Sequence, residues 1–219
     1  MAISRAGGGF GPPATATPPA TFLFESTENP LGSPWVNGDV TGLDWQDMQS
    51  GSGNVYGIAS SPSSYDDNIA ALTGYNTNHY VEGTIYRAGG YAPAVAHEIE
   101  LHVRCAITAN SITSYELLMN SDAEWQVVRW DGAIGNFYTG ITPTNHNGGP
   151  GTACVHGDVI RFEVSGSDFS VKKNGTLVWT FTDTTHTNGG PGVGAFWRPE
   201  ASAVPSSLGF SQVTGGNLP

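Results

Sequence analysis

The chain has 219 residues, 12% of them charged, and its eight basic side chains against nineteen acidic ones leave a net charge of −11. A polyanion binder displaces counterions with clustered Lys and Arg, so this balance excludes a nucleic-acid partner. No apolar run approaches the ~18 residues of a spanning helix, which excludes an integral helical membrane protein, and thirty glycines with fourteen prolines point to short strands joined by tight turns.

Residues 1–20 read MAISRAGGGFGPPATATPPA, with Arg5 and Phe10 as the one charge and the one aromatic. Such a segment buries too little apolar area to offset its ordering entropy. It is expected to be a flexible arm, or one that orders by docking onto a partner. It has no basic start or apolar centre, so no signal peptide is expected.

From Thr21 onward the composition shows no break, and residues 21–219 read as one domain. Extended segments are expected at Thr21–Phe24, His79–Arg87, His97–Thr108, Ser114–Met119, Trp125–Trp130, Asp158–Val164, Asp168–Lys173, Thr176–Thr182, Val193–Trp197 and Leu208–Val213. Most are short and rich in β-branched or aromatic residues. Asp66-Asp67-Asn68 reads as a polar turn with too few oxygen donors for calcium.

Alternation is clearest in His97–Cys105. Ile99, Leu101, Val103 and Cys105 face a core, while Glu98, Glu100, His102 and Arg104 face the other way, as in an antiparallel sheet with one wet side. Further along, Asn174-Gly175 between two alternating runs is the sequence of a type I′ hairpin turn, which needs φ > 0 at both positions. Roughly a dozen strands of this kind cannot form one open layer and split into two facing sheets. The expected fold is an all-β, two-sheet antiparallel β-sandwich with an N-terminal extended arm.

Thr144–Gly151 and Thr185–Gly192 repeat the pattern Asn-Gly-Gly-Pro-Gly forty-one residues apart. They read as two similar wide turns needing glycine for backbone freedom, alternatively as paired loops presenting His146 and His186. Cys105 and Cys154 are too few for a zinc site; bridged, they would close a loop worth roughly 4 kcal/mol, but a protein folded in the cytoplasm is expected to keep both as thiols.

Chemistry is thinly signalled. Glu98, Glu100 and His102 share one strand face with neighbours roughly 6–7 Å apart, near the separation of paired acids in glycoside hydrolysis. This strand resembles the Glu-x-Asp-x-x-Glu or Glu-x-Asp-x-Glu strand of laminarinase-like glucanases, with Glu100 at the Asp and, in the shorter pattern, His102 at the last Glu. Losing that carboxylate removes a catalytic group, so no enzyme activity is expected. Glu98, Glu100, His102 and Arg104 are instead the candidate ligand-binding residues. Trp35, Trp45, Trp130 and Trp197 flank turns or strand ends, where they either close the core or stack on a sugar. No cofactor and no metal site is expected.

Several stretches together resemble a concanavalin-like or laminin G-like jelly roll: Phe24-Glu-Ser-Thr-Glu-Asn-Pro30-Leu-Gly-Ser-Pro-Trp35, then Glu100–Arg104, Tyr115–Leu118 and Trp125–Arg129. Gly157–Gly166, the Asn174-Gly175 hairpin, Gly190–Gly194 and Leu208–Val213 follow in order. Ser26 stands where the opening motif usually carries Arg. With the Gly/Pro-rich leader, the chain resembles minor tail or decoration proteins of tailed bacteriophages, especially those of actinobacteria. That resemblance implies a virion protein, assembled in host cytoplasm, present in many copies or as a homo-oligomer. It also implies docking onto other virion proteins through residues 1–20 and contact with a host surface glycan; the alternative readings are a free carbohydrate-binding module and, behind it, a laminarinase-like glycoside hydrolase.

Overall fold

The computed structural model describes residues 19–61, 66–92, 96–121, 124–141, 155–200 and 204–219. Most of the expected arm, the loop with His146, and Cys154 lie outside the described residues. Sixteen strands occur among those described: β1 (Ala20–Leu23), β2 (Val36–Asn37), β3 (Gln46–Asp47), β4 (Gln49–Gly51), β5 (Asn54–Tyr56), β6 (Asp66–Ala71), β7 (His79–Arg87), β8 (Glu98–Thr108), β9 (Ser111–Asn120), β10 (Trp125–Gly132), β11 (Phe137–Tyr138), β12 (Val159–Ser165), β13 (Asp168–Lys173), β14 (Thr176–Thr182), β15 (Gly190–Trp197) and β16 (Leu208–Asn217). The described residues contain no helix long and apolar enough to cross a membrane.

The strands form two eight-stranded sheets. The first runs β14-β13-β12-β7-β16-β5-β4, with β1 also on β16; the second runs β11-β10-β9-β8-β15-β6-β2, with β3 beside β6. All pairings are antiparallel except the short β3–β6 contact. Period-two alternation builds both sheets. On β12, Ile160, Phe162 and Val164 point inward and Arg161, Glu163 and Ser165 outward. Between the sheets these side chains join Val81, Ile85, Phe169 and Phe181 against Ile99, Leu101, Val103, Leu117, Val127 and Val193 in one continuous core. Each fully buried aliphatic or Phe side chain contributes about 1.5–3 kcal/mol. The two-sheet sandwich expected from the alternation is therefore present.

The opening motif has a structural explanation. Phe24, Leu31 and Trp35 are buried in the same core, and the Phe22 and Trp35 rings lie 4.9 Å apart, so this segment is packed into the sandwich by its apolar side chains. The Asn174-Gly175 turn also forms as expected, with φ of 50° and 78° and Lys173 facing Thr176 across it.

Three expectations need correction. Asp66-Asp67-Asn68 is not a turn but the start of β6, an interior strand between β15 and the short β2 and β3. The buried Asn68 amide serves it there by bonding both Ile58 backbone groups, accepting at 2.8 Å and donating at 2.9 Å. Second, Arg104 does not share a face with Glu98, Glu100 and His102. A bulge follows Val103, Arg104 takes φ 52°, and strand parity inverts there. Third, the same inversion sends Cys105 away from the central core, into a second cluster with Leu43, Trp45, Ile69 and Trp130 on the outer side of the second sheet. Cys105 is a buried thiol outside any disulfide, and burial pushes its pKa up to about 12.

Candidate functional site

The outer face of the second sheet is set by strand register. Phe196 lies between Asp67 and Glu98; Gly194 lies between Ile69 and Glu100; Gly192 lies between Ala71 and His102. On the next strand Glu100 faces Leu118 and His102 faces Glu116. The pairing places Gly192 and Gly194 beside Glu100 and His102. A Cβ on Gly194 would sit 2.2 Å from Glu100 Oε2 and 2.6 Å from His102 Nε2, so only glycine leaves room for the pair.

This face is not open to water, contrary to the expectation from alternation. The segment between β2 and β3 lies across it, with Leu43 and Trp45 buried against Ile69, Cys105, Ile112, Leu118, Val128 and Trp130. Trp45 meets Trp130 edge-on with ring centroids 4.7 Å apart. Glu100 and His102 are both 0% exposed beneath this cover. Trp35, Trp45, Trp130 and Trp197 are all buried, so as a group they close the packing instead of presenting faces to a sugar.

His102 Nε2 lies 3.2 Å from Glu100 Oε2 and its Nδ1 lies 3.0 Å from Ser114 Oγ. Burial lowers the His102 pKa to about 3, keeping the ring neutral. Burial first, then the charges of Glu116, Asp67 and Glu98, raises the Glu100 pKa well above the usual carboxylate range. Trp130 Nε1 donates to Glu116 Oε2 at 2.5 Å, yet burial and Asp67 still raise the Glu116 carboxyl. Burial raises Glu98 to about 7, helped by Asp67 and Glu124, and Asp67 to about 6, helped by Asp66.

An opening of about 230 Å³ remains beside the covered part, lined by Asp67, Glu98, Glu116, Gln126, Trp130, Phe137, Thr139 and Phe196 among others. Phe137 is 50% exposed at its rim and packs 5.2 Å from the Trp130 ring. The cleft therefore joins three carboxyl groups to an exposed aromatic face. Among the described residues, no Lys or Arg ion-pairs with Asp67, Glu98, Glu100 or Glu116.

A larger depression, about 750 Å³, lies at the sandwich edge beside Tyr138, Glu163, Asp168 and Asp183. Two of its carboxylates are already engaged. Glu163 accepts from Arg161, Ser170 and Lys172, and Asp183 accepts from Tyr115, Arg129 and Thr185. Groups satisfied this way gain little from a ligand.

Of the four sequence candidates, the structure brings Glu98, Glu100 and His102 together. Arg104 is carried to the opposite side, where it donates to His186 O at 2.7 Å and to Gly166 O and lies 5.4 Å from the Phe169 ring centroid. Asp67, Glu116 and Phe137 also belong to the cleft; by sequence Asp67 reads as part of a turn, and neither Glu116 nor Phe137 is singled out. Of the two repeated loops only the second is described; its His186 lies 2.8 Å from Asp131.

No protein-family model and no curated protein matches this sequence. Solved structures do match it. One is the carbohydrate-binding module CBM66 from Bacillus subtilis, at TM-score 0.51 and 12% identity over 84% of this chain and 92% of that one. A β-glucanase from Bacillus licheniformis matches at TM-score 0.52 and 12% identity over 93% of this chain and 100% of its own.

The fold is a concanavalin-like jelly roll.

The potassium-bound carbohydrate recognition domain of Emp46p agrees, at TM-score 0.52, 10% identity, and coverage of 84% of this chain and 88% of that domain. At such identities the likeness speaks for the jelly roll alone.

Proposed function

We propose that this jelly roll holds a neutral glycan in the cleft over its second sheet and does not cleave it. The observation that carries the reading is the pairing of the half-exposed Phe137 ring with the carboxyl groups of Glu98, Glu116 and Asp67 around one opening. An aromatic face stacks on the apolar side of a sugar, and carboxyl groups, protonated or ionised, hydrogen-bond to its hydroxyls. The net charge of −11 disfavours an acidic polysaccharide. His102, at the position of the last Glu in the resembled glucanase strand, is sealed from solvent and neutral, so it supplies neither acid nor nucleophile.

The setting that best fits the resemblance of the Phe24–Trp35 opening and the Gly/Pro-rich leader is the surface of a tailed-phage particle. There the domain would be present in several copies and anchored to other virion proteins through residues 1–20.

Calorimetry of the purified chain against a panel of neutral oligosaccharides, β-1,3-1,4-glucan fragments included, tests the first part. Binding is expected for at least one, weakened about tenfold or more by Phe137→Ala and by Glu98→Gln. Flat titrations across the panel would overturn it. So would release of reducing ends by the wild type that disappears in Glu98→Gln. Mass spectrometry of purified particles tests the setting, and absence of the chain from them would end it.

A further inference from the structure

Glu100, His102 and Glu116 are all buried, and one donor atom from each lies within 4.8 Å of the others. One feature marks this trio as more than a packed polar cluster. Glu100 Oε1 is fully buried with no hydrogen-bond partner, although a buried carboxyl oxygen normally has at least one. Gly194 lets the backbone of β15 pass closer to Glu100 Oε2 and His102 Nε2 than any residue with a Cβ could. We propose that Glu100, His102 and Glu116 bind one divalent transition-metal ion, Zn²⁺ being the ion that this donor set fits best.

The chemistry of the donors selects the class of ion. One imidazole and two carboxylates suit zinc, whereas calcium requires six or more oxygens and magnesium a nearly all-oxygen octahedron. Ligand atoms around one zinc sit roughly 3–4 Å apart, so the trio closes on the ion with side-chain rotations of about an ångström. Two carboxylates against a dication give a neutral site, which the surroundings favour because no Lys or Arg reaches it among the described residues.

The supporting contacts are those of a metal site. His102 Nδ1 is held by Ser114 Oγ at 3.0 Å, which turns Nε2 toward Glu100 Oε2 at 3.2 Å, the contact that the ion would replace, and Glu116 Oε2 is held by Trp130 Nε1. Such outer contacts orient ligands and are worth about 10–100-fold in affinity. Glu116 also lines the cleft, so the trio adjoins the opening through that one residue. The site stands on its own geometry, whether or not the cleft above it takes a glycan.

The test uses the full chain, stripped with a chelator, dialysed and titrated with ZnCl₂ by calorimetry, with metal content measured after gel filtration. One zinc per chain is expected, with a higher melting temperature in its presence. Glu100→Gln and His102→Asn should each weaken binding about 100-fold or more, and Ser114→Ala about tenfold. His186→Asn, which alters the imidazole beside Asp131, should leave binding unchanged. Co²⁺ in place of zinc should produce visible absorption bands in the wild type that diminish in Ser114→Ala, which decides the matter if the ligand variants do not fold. A folded wild type that retains no zinc, or binding that survives unchanged in Glu100→Gln and His102→Asn, would overturn the proposal and leave the trio a proton-holding cluster.

Discussion

Arg104 and Glu100 stand on the same strand, four residues apart, and their side chains leave opposite faces of the sheet. The cause is the bulge after Val103, where Arg104 adopts φ 52° and its backbone N–H donates to His79 Nε2 at 3.0 Å. Burial holds the His79 pKa down at about 4, which leaves that nitrogen an acceptor. The other ring nitrogen donates to Asn76 O at 2.6 Å. One buried histidine thus receives the N–H that the ladder gives up.

Arg104 therefore acts as a structural tie. Its guanidinium satisfies the carbonyls of His186 and Gly166 at the end of the sandwich, with the residue only 2% exposed. Arg104→Ala leaves both acceptors without that donor and should cost about 3 kcal/mol, since a hydrogen bond to a charged group contributes about 1.5–3 kcal/mol. Urea unfolding measures the loss. A change within about 0.5 kcal/mol would show that water replaces the guanidinium without penalty.

The cover over the second sheet should be equally sensitive. Trp45 is 1% exposed and packed on Trp130, so Trp45→Ala should destabilise by about 3–5 kcal/mol. Hydrogen exchange should accelerate in β9 and β10, beneath the vacated ring. Acceleration confined to β3 would instead mean that Trp45 steadies its own segment and does not seal the sheet.

Asp183 links the two sheets and sets an acid limit. Burial raises its pKa, but the Tyr115 hydroxyl, the Thr185 N–H and the Arg129 guanidinium outweigh that effect and hold it at about 2, below the ordinary 3.8. The unfolded chain binds this proton more tightly, so the contribution is complete above about pH 4 and lost as pH falls from 4 through 2. Denaturation midpoints measured from pH 6 to 2 should fall over that window. The fall should be shallower in Asp183→Asn; an identical slope would assign the acid limit to other carboxylates.

The β13–β14 turn allows a clean comparison. Asn174 adopts φ 50°, accepts from the Val159 N–H at 2.8 Å and donates to Asp158 at 2.8 Å. Asn174→Ala keeps the left-handed strain and loses both bonds, for a cost of about 1–2 kcal/mol. Asn174→Gly loses the bonds without the strain and should cost less. The reverse order in thermal melts would mean that backbone strain plays no part at this turn.

How much of this was readable depends on range. Alternation in β7, β8, β12 and β13 and the Asn174-Gly175 turn are written in neighbouring residues, because side-chain parity and φ > 0 are local requirements. The short strands β2 to β5 and β11 carry too few residues to show a period. β6 was hidden because Asp66, Asp67 and Asn68 mimic a turn unless the buried partners of Asn68 are known.

The partners in the cleft depended on the fold. Counted back from the turn where Thr108 faces Ser111, His102 would oppose Leu117; the extra residue at the bulge brings Glu116 opposite instead. A one-residue shift moves every side chain to the other face, and nothing in the residues around Arg104 announces it. The sequence alone therefore determined two antiparallel layers and placed Glu98, Glu100 and His102 on one side of a strand. Only the tertiary structure decided that Trp45 would roof that side, that Glu116 would meet His102, and that Arg104 would leave it, since each depends on contacts between segments far apart in the chain.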